Sequence, residues 1–504
     1  MKKTTLLILA FCAGMLSART QTVVTASTET EYPQEMGKNV RICTNESDGA
    51  TVIFYRDANT EKNWFIYHKP AATTENKYLW PDIPEGTGYA DCTVEDMKII
   101  KDTLYFCGVS TFPVGNVYRK KGYIGWVIIS ELAASSGTVQ FYYCSDFNEN
   151  QYPFIVGLTH MDGIHDPTYM GYTKLGLVGS AVNPNNDTTS SLLLVKNNGG
   201  NNWDYQFHYL TDTKETFTDI AFVGKILVVP SRFNHEYEDH YRFGIRHERL
   251  DFAFDMQAFP SIPYFQNVYK FNTRNMYTAT SVSPYPTWHR NDVAMHVTPN
   301  PFNIYQVIVA YECEDTAQDC ENRQQTAVYQ VDVTLGSPSF SIAAGQLVHG
   351  YFRKPYTFVG FQNVTIDSTM ALLYQGNDEI AGIASVALFP SWYHYGQIDG
   401  FLADYRGNTS LDVYKNRYVR FGGTSTLNGN VIHYQIDKPN SRSSCYSSRP
   451  AFSSEELLNK STLKVENERL ESIQERSVNW RPFTMTRRSV AKNISCESFN
   501  KVNP

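Results

Sequence analysis

The densest group of residues able to do chemistry lies between positions 160 and 166. His160, Asp162, His165 and Asp166 place two imidazoles and two carboxylates within seven residues. Such groups ligate transition metals or act together as an acid and a base. A polar segment with glycine is also ordinary turn chemistry. We predict that these four residues bind a ligand from a loop between two sheets, and we predict no metal or cofactor.

Other candidate motifs lack a necessary part. His235 and His240 do not have the HExxH order that places two zinc ligands and a base on one helical face. The acidic and amide residues at 146–150 resemble a calcium loop, but Gln151 stands where the sharp turn needs glycine. The aromatic segments around Trp288 and Trp392 can stack on sugar rings or pack between sheets. No sequence motif therefore names a reaction.

The amino terminus has the pattern of an export signal. Lys2 and Lys3 precede an apolar run from Leu6 to Leu16, which is shorter than the roughly 20 residues that span a bilayer. Small residues end the run at Ala18, so residues 1–18 are predicted to be a signal peptide. No later run predicts a membrane span. We expect the protein to be secreted, periplasmic or on the cell surface.

The cysteines fit export. Eight remain beyond Cys12, and an even number in an exported chain is compatible with disulfides. Cys313 and Cys320 flank a short polar loop and are predicted to bond to each other, and Cys445 and Cys496 are candidates to fix the tail. Cys107 has a second interpretation, as a small buried hydrophobic residue in a strand.

The composition favours sheet and excludes one class of partner. Aromatic residues make up 14% of the 504 residues, with 34 Tyr and 29 Phe. Such residues suit half-buried pleated surfaces. The net charge is −7. A nucleic-acid-binding protein carries a basic surface that neutralises phosphates, so nucleic acid is not expected as a partner.

A hairpin pattern recurs along the chain: an apolar-rich run, a two-residue polar turn and a second apolar run. Strong copies lie at 96–108, 219–230, 362–376 and 411–423, and weaker copies at 168–180 and 292–311. Repeated small sheets must pack on one another to bury their faces. The pattern predicts an all-β fold, a β-propeller of about six to seven blades. Two β-sandwich domains are the alternative.

The segment DMKIIKDTLYFCG, followed by GYIGWVII, resembles the repeating unit of uncharacterised secreted bacterial proteins with propeller-like domains. The resemblance implies export and a propeller-like fold. It implies no catalytic residue, because these families have no agreed activity.

The carboxyl-terminal part loses the strand pattern. Ser453 or Ser454 is a candidate helix cap, and Leu457, Leu463 and Leu470 are among the residues of a candidate apolar stripe. We predict a partly helical tail over 441–504, following a propeller over 19–440.

These features favour an exported, non-enzymatic binding or interaction module whose ligand is an unknown protein or glycan. The alternative is an extracytoplasmic carbohydrate-active enzyme with its site at one mouth of the propeller. A cluster of ionisable residues at that mouth would favour the enzyme.

Overall fold

The computed structural model describes residues 23–233 with short gaps and, between 251 and 501, chiefly the strands. Almost every element in the described part is a β-strand, and the one helix there is α1, Ile129–Ala133. The all-β prediction is confirmed.

The strands of the first half follow one another in short antiparallel sheets. Up to residue 144 they are β1 (Val23–Thr44), β2 (Thr51–Asp57), β3 (Asn63–His68), β4 (Thr74–Leu79), β5 (Ile83–Glu85), β6 (Gly88–Ile100), β7 (Thr103–Val114), β8 (Val117–Ile128) and β9 (Thr138–Cys144). The next are β10 (Phe154–Asp166), β11 (Tyr172–Val182), β12 (Thr188–Asn197), β13 (Asn202–Tyr209), β14 (Glu215–Phe217), β15 (Ala221–Val223), β16 (Ile226–Phe233), β17 (Asp251–Asp255) and β18 (Tyr269–Asn272).

The second half repeats this arrangement. Its sheets contain β19 (Met295–Pro299), β20 (Ile304–Glu312), β21 (Gln324–Leu335), β22 (Phe340–Ile342), β23 (Gly345–Phe352), β24 (Tyr356–Val364), β25 (Thr369–Gly376), β26 (Ala381–Ala387), β27 (Gly400–Leu402), β28 (Tyr405–Tyr414), β29 (Tyr418–Ser425) and β30 (Asn430–Ile436). The tail contains β31 (Phe452–Ser453), β32 (Asn459–Ser461), β33 (Lys464–Asn467), β34 (Glu471–Asn479), β35 (Arg481–Ala491) and β36 (Asn493–Lys501).

The inner strands of successive sheets form a closed cycle. Among the described residues, β1 contacts β6, and the contacts continue through β10, β15, β19, β24 and β28 back to β1. Each of these strands pairs with the next strand along the chain, and the later strands of its sheet follow outward by antiparallel pairing. Radial repetition of small sheets around an axis is the propeller arrangement that the repeats predict.

Two strands are shared between neighbouring sheets. The first half of β1 pairs with β30, and its second half pairs with β2. One part of β35 pairs with β9 and the other with β4. The hairpins at 96–108 and 411–423 therefore lie on one continuous hydrogen-bonded path, although each forms the inner two strands of its own sheet.

The hydrophobic core lies between neighbouring sheets. On β7, Leu104 and Phe106 are buried against the β1–β4 sheet, whereas Tyr105 and Cys107 are buried against the β10–β13 sheet. A strand covered on both faces needs apolar residues at consecutive positions. The near-continuous apolar runs in the sequence have this cause, and Cys107 is a buried core residue.

The expected turns are found in part. β6 ends at Ile100 and β7 begins at Thr103, so Lys101 and Asp102 form the predicted two-residue turn, with Lys101 at a φ of 56°. The prediction at 168–180 is wrong, because Thr173 and Lys174 lie inside β11. The apolar residues after them belong to the same strand, whose partner is the earlier strand β10.

The predicted helical tail is wrong in the residues that the structure describes, since β31–β36 are strands. They pair with the outer edges of the sheets in reverse chain order: β31 and β32 with β23, β33 with β18, β34 with β13, β35 with β9 and β4, and β36 with β1. An exposed sheet edge offers unpaired N–H and C=O groups. Pairing with these groups outweighs the weak helical signal of the sequence. The division into a 19–440 propeller and a 441–504 tail remains a prediction.

Candidate functional site

Charged residues collect on the inner strands of the first sheets. We call the following set the inner-ring site: Arg41 on β1, Glu95 and Lys98 on β6, His160 and Asp162 on β10, and Asp219 just before β15. Each ionic contact in this set joins two successive sheets of the cycle. The site is therefore built by the closure of the fold.

Irregularities in the strands position these side chains. The register of β6 against β7 shifts between Val94 and Asp96, which leaves Glu95 as an extra residue. The register of β10 against β11 shifts between Leu158 and His160. A β-bulge bends a strand and redirects its side chains. On both strands, the residues of the inner-ring site lie at or just after such a shift.

A glycine lies opposite each of these two bulges. Gly108 pairs with Val94, and a Cβ there would lie 1.8 Å from the carbonyl oxygen of Thr93. Gly179 pairs with Leu158, and a Cβ there would lie 2.0 Å from the carbonyl oxygen of Gly157. Only glycine permits so close a backbone approach. The glycine that ends the 96–108 repeat therefore marks a bulge of the inner strand.

Lys98 and Asp162 form the tightest ion pair of the inner-ring site. The Lys98 Nζ lies 3.0 Å from Asp162 Oδ1, with side chains 47% and 15% exposed. The other oxygen, Asp162 Oδ2, accepts a hydrogen bond from the Phe222 amide at 2.7 Å. Asp162 thus links three sheets, while the Lys98 ammonium keeps contact with water.

The flanking pairs are looser. Arg41 Nη2 lies 3.7 Å from Glu95 Oε2, and Arg41 Nε donates to the Glu95 carbonyl at 2.9 Å. His160 Nδ1 lies 4.0 Å from Asp219 Oδ1, and the His160 side chain is 44% exposed. The inner-ring site therefore presents an ammonium and an imidazole that a polar ligand can reach.

Half-buried carboxylates tie the inner strands together next to these pairs. Asp96 Oδ2 accepts from the Met161 amide at 2.8 Å, which joins β6 to β10. Asp412 Oδ2 accepts from the Thr44 amide at 2.5 Å, which joins β28 to β1. The Asp162–Phe222 hydrogen bond has the same form. In all three cases, a carboxylate on one inner strand accepts a hydrogen bond from a backbone N–H of a neighbouring sheet.

Two pKa values reflect this environment. Burial raises the pKa of Asp96 to about 6, against the opposing effect of hydrogen bonds from the Met161 and Met97 amides. The negative charge of Asp162 raises the pKa of Lys98. Lys98 is therefore a cation at neutral pH, whereas Asp96 titrates near neutrality.

The four predicted site residues do not form one cluster. Residues 160–166 lie in strand β10, so their placement in a loop is wrong; the inner strand needs this length to pair with β11. His160 faces Asp219 and Asp162 binds Lys98. His165 is half-buried, and the side chain of Asp166 lies outside the described residues. Whether these residues bind a ligand remains a prediction.

Sequence reasoning missed Arg41, Glu95, Lys98 and Asp219. A signal was present, because Asp96 and Asp219 open the repeated hairpins at 96–108 and 219–230. Polar residues at the start of an apolar inner strand, repeated from sheet to sheet, mark the face toward the axis. The partner of each residue lies in the next sheet and could not be assigned from the pattern.

A second polar group lies at the outer side of the cycle, where the two ends of the chain meet. We call Tyr32, His68, Glu75 and Lys492 the closure cluster. Tyr32 Oη donates to Glu75 Oε2 at 2.7 Å, and Lys492 Nζ donates to Glu75 Oε1 at 2.7 Å. His68 Nδ1 lies 3.0 Å from Glu75 Oε1 and 2.8 Å from Tyr32 Oη. All four side chains are nearly inaccessible to water.

Burial and pairing shift the pKa values in the closure cluster. Burial alone would raise the pKa of Glu75, but His68, Lys492 and Tyr32 together bring it below its usual range. Burial lowers the pKa of His68, and Glu75 offsets only part of this effect. Glu75 is thus an anion and His68 a neutral imidazole. The His433 ring lies 4.2 Å from that of His68, and burial lowers the pKa of His433 as well.

Several sequence candidates lie outside the described residues: His235, His240, Trp288, Trp392, Cys313, Cys320, Cys445 and the side chain of Cys496. The two predicted disulfides therefore remain predictions. In the described part of the chain, no three His, Cys, Asp or Glu side chains are arranged to hold a metal ion. The same part contains no helix long and apolar enough to cross a membrane.

Comparison with known proteins gives structural likeness alone. No family model and no curated protein matches the sequence. A mutant of AofleA from Arthrobotrys oligospora has 9% identity, a TM-score of 0.32 and coverage of 91% of this chain and 93% of its own. Trypanosoma rangeli sialidase with 2,3-difluorosialic acid has 10% identity, a TM-score of 0.34 and coverage of 90% and 97%. The same sialidase with sialic acid has 9% identity, a TM-score of 0.32 and coverage of 94% and 95%. At these values the likeness assigns no activity to this chain.

Proposed function

We propose that this chain is an exported binding module and that its ligand, a glycan or a protein segment, contacts the inner-ring site. The observation that carries the proposal is the pair of accessible groups, Lys98 and His160, on neighbouring inner strands. They sit on a rigid scaffold, since half-buried carboxylates hold the same strands together through hydrogen bonds to backbone amides. Sites preorganised in this way bind without a large ordering cost.

The electrostatics favour binding over hydrolysis. Asp162 is neutralised by Lys98, and Asp219 faces His160. Glycosidases need a free carboxylic acid and a second carboxylate on either side of the scissile bond. Paired groups instead offer donors and acceptors to hydroxyl, amide or charged groups of a ligand.

A glycan and protein array probed with the mature chain tests the proposal. Lys98→Gln and the double variant His160→Ala/His165→Ala should each weaken every genuine signal, while Lys62→Gln, an exposed lysine outside the site, should not. Circular dichroism confirms the fold of each variant. Equal binding by all variants would place the ligand elsewhere, and the aromatic segments near Trp288 and Trp392 would be the next candidates.

One observation favours a second candidate, a carbohydrate-active enzyme. Burial raises the pKa of Asp96 to about 6, and a carboxyl group that titrates near neutrality suits general acid catalysis. Incubation of array-positive glycans with the protein, followed by product analysis, tests this. Turnover that depends on a group near pH 6 and is lost in Asp96→Asn supports the enzyme. If the glycans stay intact, the protein is not an enzyme that acts on them.

A further inference from the structure

The β7–β8 hairpin projects beyond its own sheet. β6 pairs with β7 only as far as Thr111, and β9 pairs with β8 only from Ile124 onward. Between these points the hairpin continues through the pairs Phe112–Arg119, Pro113–Tyr118 and Val114–Val117. In the described part of the chain, this ribbon pairs with no third strand. Its three outer pairs extend it by about 10 Å.

The tip of this ribbon is apolar and exposed. Val114 is 41% exposed, Val117 64% and Tyr118 76%. Among the described residues these are three of the four large hydrophobic side chains that are exposed. Gly115 makes the turn with a φ of 62°, and the space around it is open. A concentrated exposed apolar patch marks an interaction site, whereas scattered single residues do not.

The side of the ribbon is basic. Arg119 and Lys120 are exposed, and Lys121 follows them with its Nζ 5.0 Å from the centre of the Phe112 ring. No acidic residue occurs between Asp102 and Glu131. The chain as a whole carries a net charge of −7, so this is a local reversal of sign. The ribbon thus combines an apolar aromatic tip with cations directly behind it.

We propose that this ribbon, residues 112–119, together with the adjacent Lys120 and Lys121, is a membrane-docking element that inserts Val114, Val117 and Tyr118 into the interface of an anionic lipid bilayer. Tyrosine is favoured at the level of lipid head groups, where its ring is buried and its hydroxyl stays hydrated. Arg119, Lys120 and Lys121 then lie at the height of the lipid phosphates and attract acidic lipids. Insertion needs no rearrangement, because the tip is already clear of the sheet.

Cosedimentation with vesicles tests the proposal on the whole mature chain. The wild type should bind vesicles containing about one-third phosphatidylserine and bind pure phosphatidylcholine weakly, and salt near 0.5 M should weaken the binding. The variant R119Q/K120Q/K121Q should lose about a hundredfold in partitioning, about fivefold for each cation. The matched control K62Q/K69Q/K101Q, which removes three exposed cations elsewhere, should retain binding.

A second pair of variants tests insertion. Val114→Ser/Val117→Ser/Tyr118→Ser should lose about tenfold in binding to the same vesicles. Tyr118→Trp should shift its fluorescence to the blue when anionic vesicles are added. Because these side chains are exposed, the fold should persist, as thermal unfolding will check.

Absence of vesicle binding by the wild type would overturn the proposal. So would binding that neither triple variant at 112–121 weakens. Concentration-dependent self-association that the serine variant abolishes, without affinity for vesicles, would show that a second copy covers the tip instead.

Discussion

The inner-ring site and the closure cluster use the same kinds of residues in opposite surroundings. At the inner ring, Lys98 and Asp162 are 47% and 15% exposed. In the closure cluster, Lys492 and Glu75 are 5% and 0% exposed and lie 2.7 Å apart. The more exposed pair, Lys98 and Asp162, stays partly hydrated, so it contributes little to the free energy of unfolding. The buried one depends on complete pairing, because each partner would otherwise be left desolvated.

This contrast indicates different roles for the closure cluster and the inner-ring site. The closure cluster connects Tyr32 of the first strand, Glu75 of β4 and Lys492 between the last two strands, so it fastens the ends of the chain where the cycle closes. The inner-ring site leaves charges accessible on strands that are already fastened. We infer that the outer seam contributes more to stability than the inner-ring site, where we propose that the ligand binds.

The largest expected effect is at the closure cluster. Glu75→Ala removes the acceptor for Tyr32 and Lys492 and leaves the buried Lys492 ammonium without its carboxylate partner, although the Lys69 carbonyl still accepts from it. We therefore expect a loss of about 3–5 kcal/mol in the free energy of unfolding. Urea denaturation followed by tryptophan fluorescence measures it.

Glu61→Ala, at an exposed carboxylate paired with Lys38 and Arg56, is the matched control and should change the free energy of unfolding little. Equal losses in the free energy of unfolding in both variants would show that burial of the ion pair does not decide its contribution.

Removal of an inter-strand carboxylate should have an intermediate effect. Asp96→Ala leaves the Met161 and Met97 amides without their acceptor, at a cost of about 1–3 kcal/mol. Asp96→Asn keeps one oxygen acceptor and should lose less. The same urea titration compares them. If alanine and asparagine are equally harmful, the hydrogen bonds are not the cause.

Acid should lower the stability of the outer seam, where the buried His433 ring lies against the His68 ring of the closure cluster. Burial lowers the pKa of His433 well below 6.5. Below about pH 6.5, the His433 side chain is therefore protonated in the unfolded chain but stays neutral in the folded chain. The stability is therefore fully present above about pH 6.5 and falls as the pH drops toward the folded value. The lowered pKa of Glu75 removes further stability in stronger acid. Urea midpoints from pH 8 to about pH 4 measure this.

His433→Leu tests the assignment of that acid sensitivity. The variant places an apolar side chain of similar size in the buried site, and this side chain cannot take up a proton. Its free energy of unfolding should therefore fall less than that of the wild type between about pH 6.5 and pH 5. An unchanged pH profile would assign the sensitivity to other groups, with His68 first among them.

The smallest effect on stability is expected at Lys98. Lys98→Gln removes one partner of an accessible ion pair and should cost at most about 1 kcal/mol. Binding of any array-positive ligand should nevertheless fall sharply. A large loss of stability in this variant would show that the inner ring is structural, and the comparison between the two regions would fail.

The sequence by itself determined the local features. Alternating and continuous apolar runs specify strands covered on one or both faces, and the two-residue turn at Lys101 and Asp102 specifies one hairpin. Both depend on neighbours within a few positions, so they can be predicted without the fold. The sequence shows that the four predicted site residues between positions 160 and 166 are polar and close together, but it did not reveal that they lie in a strand.

The tertiary structure alone decided which parts meet. Lys98 finds Asp162 in the next sheet, and Tyr32 finds Glu75 and Lys492 at the seam. The tail became strands because the outer sheet edges supplied partners for its backbone, although its own sequence favoured a helix. Such pairings join positions far apart in the chain, and their energies depend on burial and distance. Only closure of the cycle fixes these two quantities.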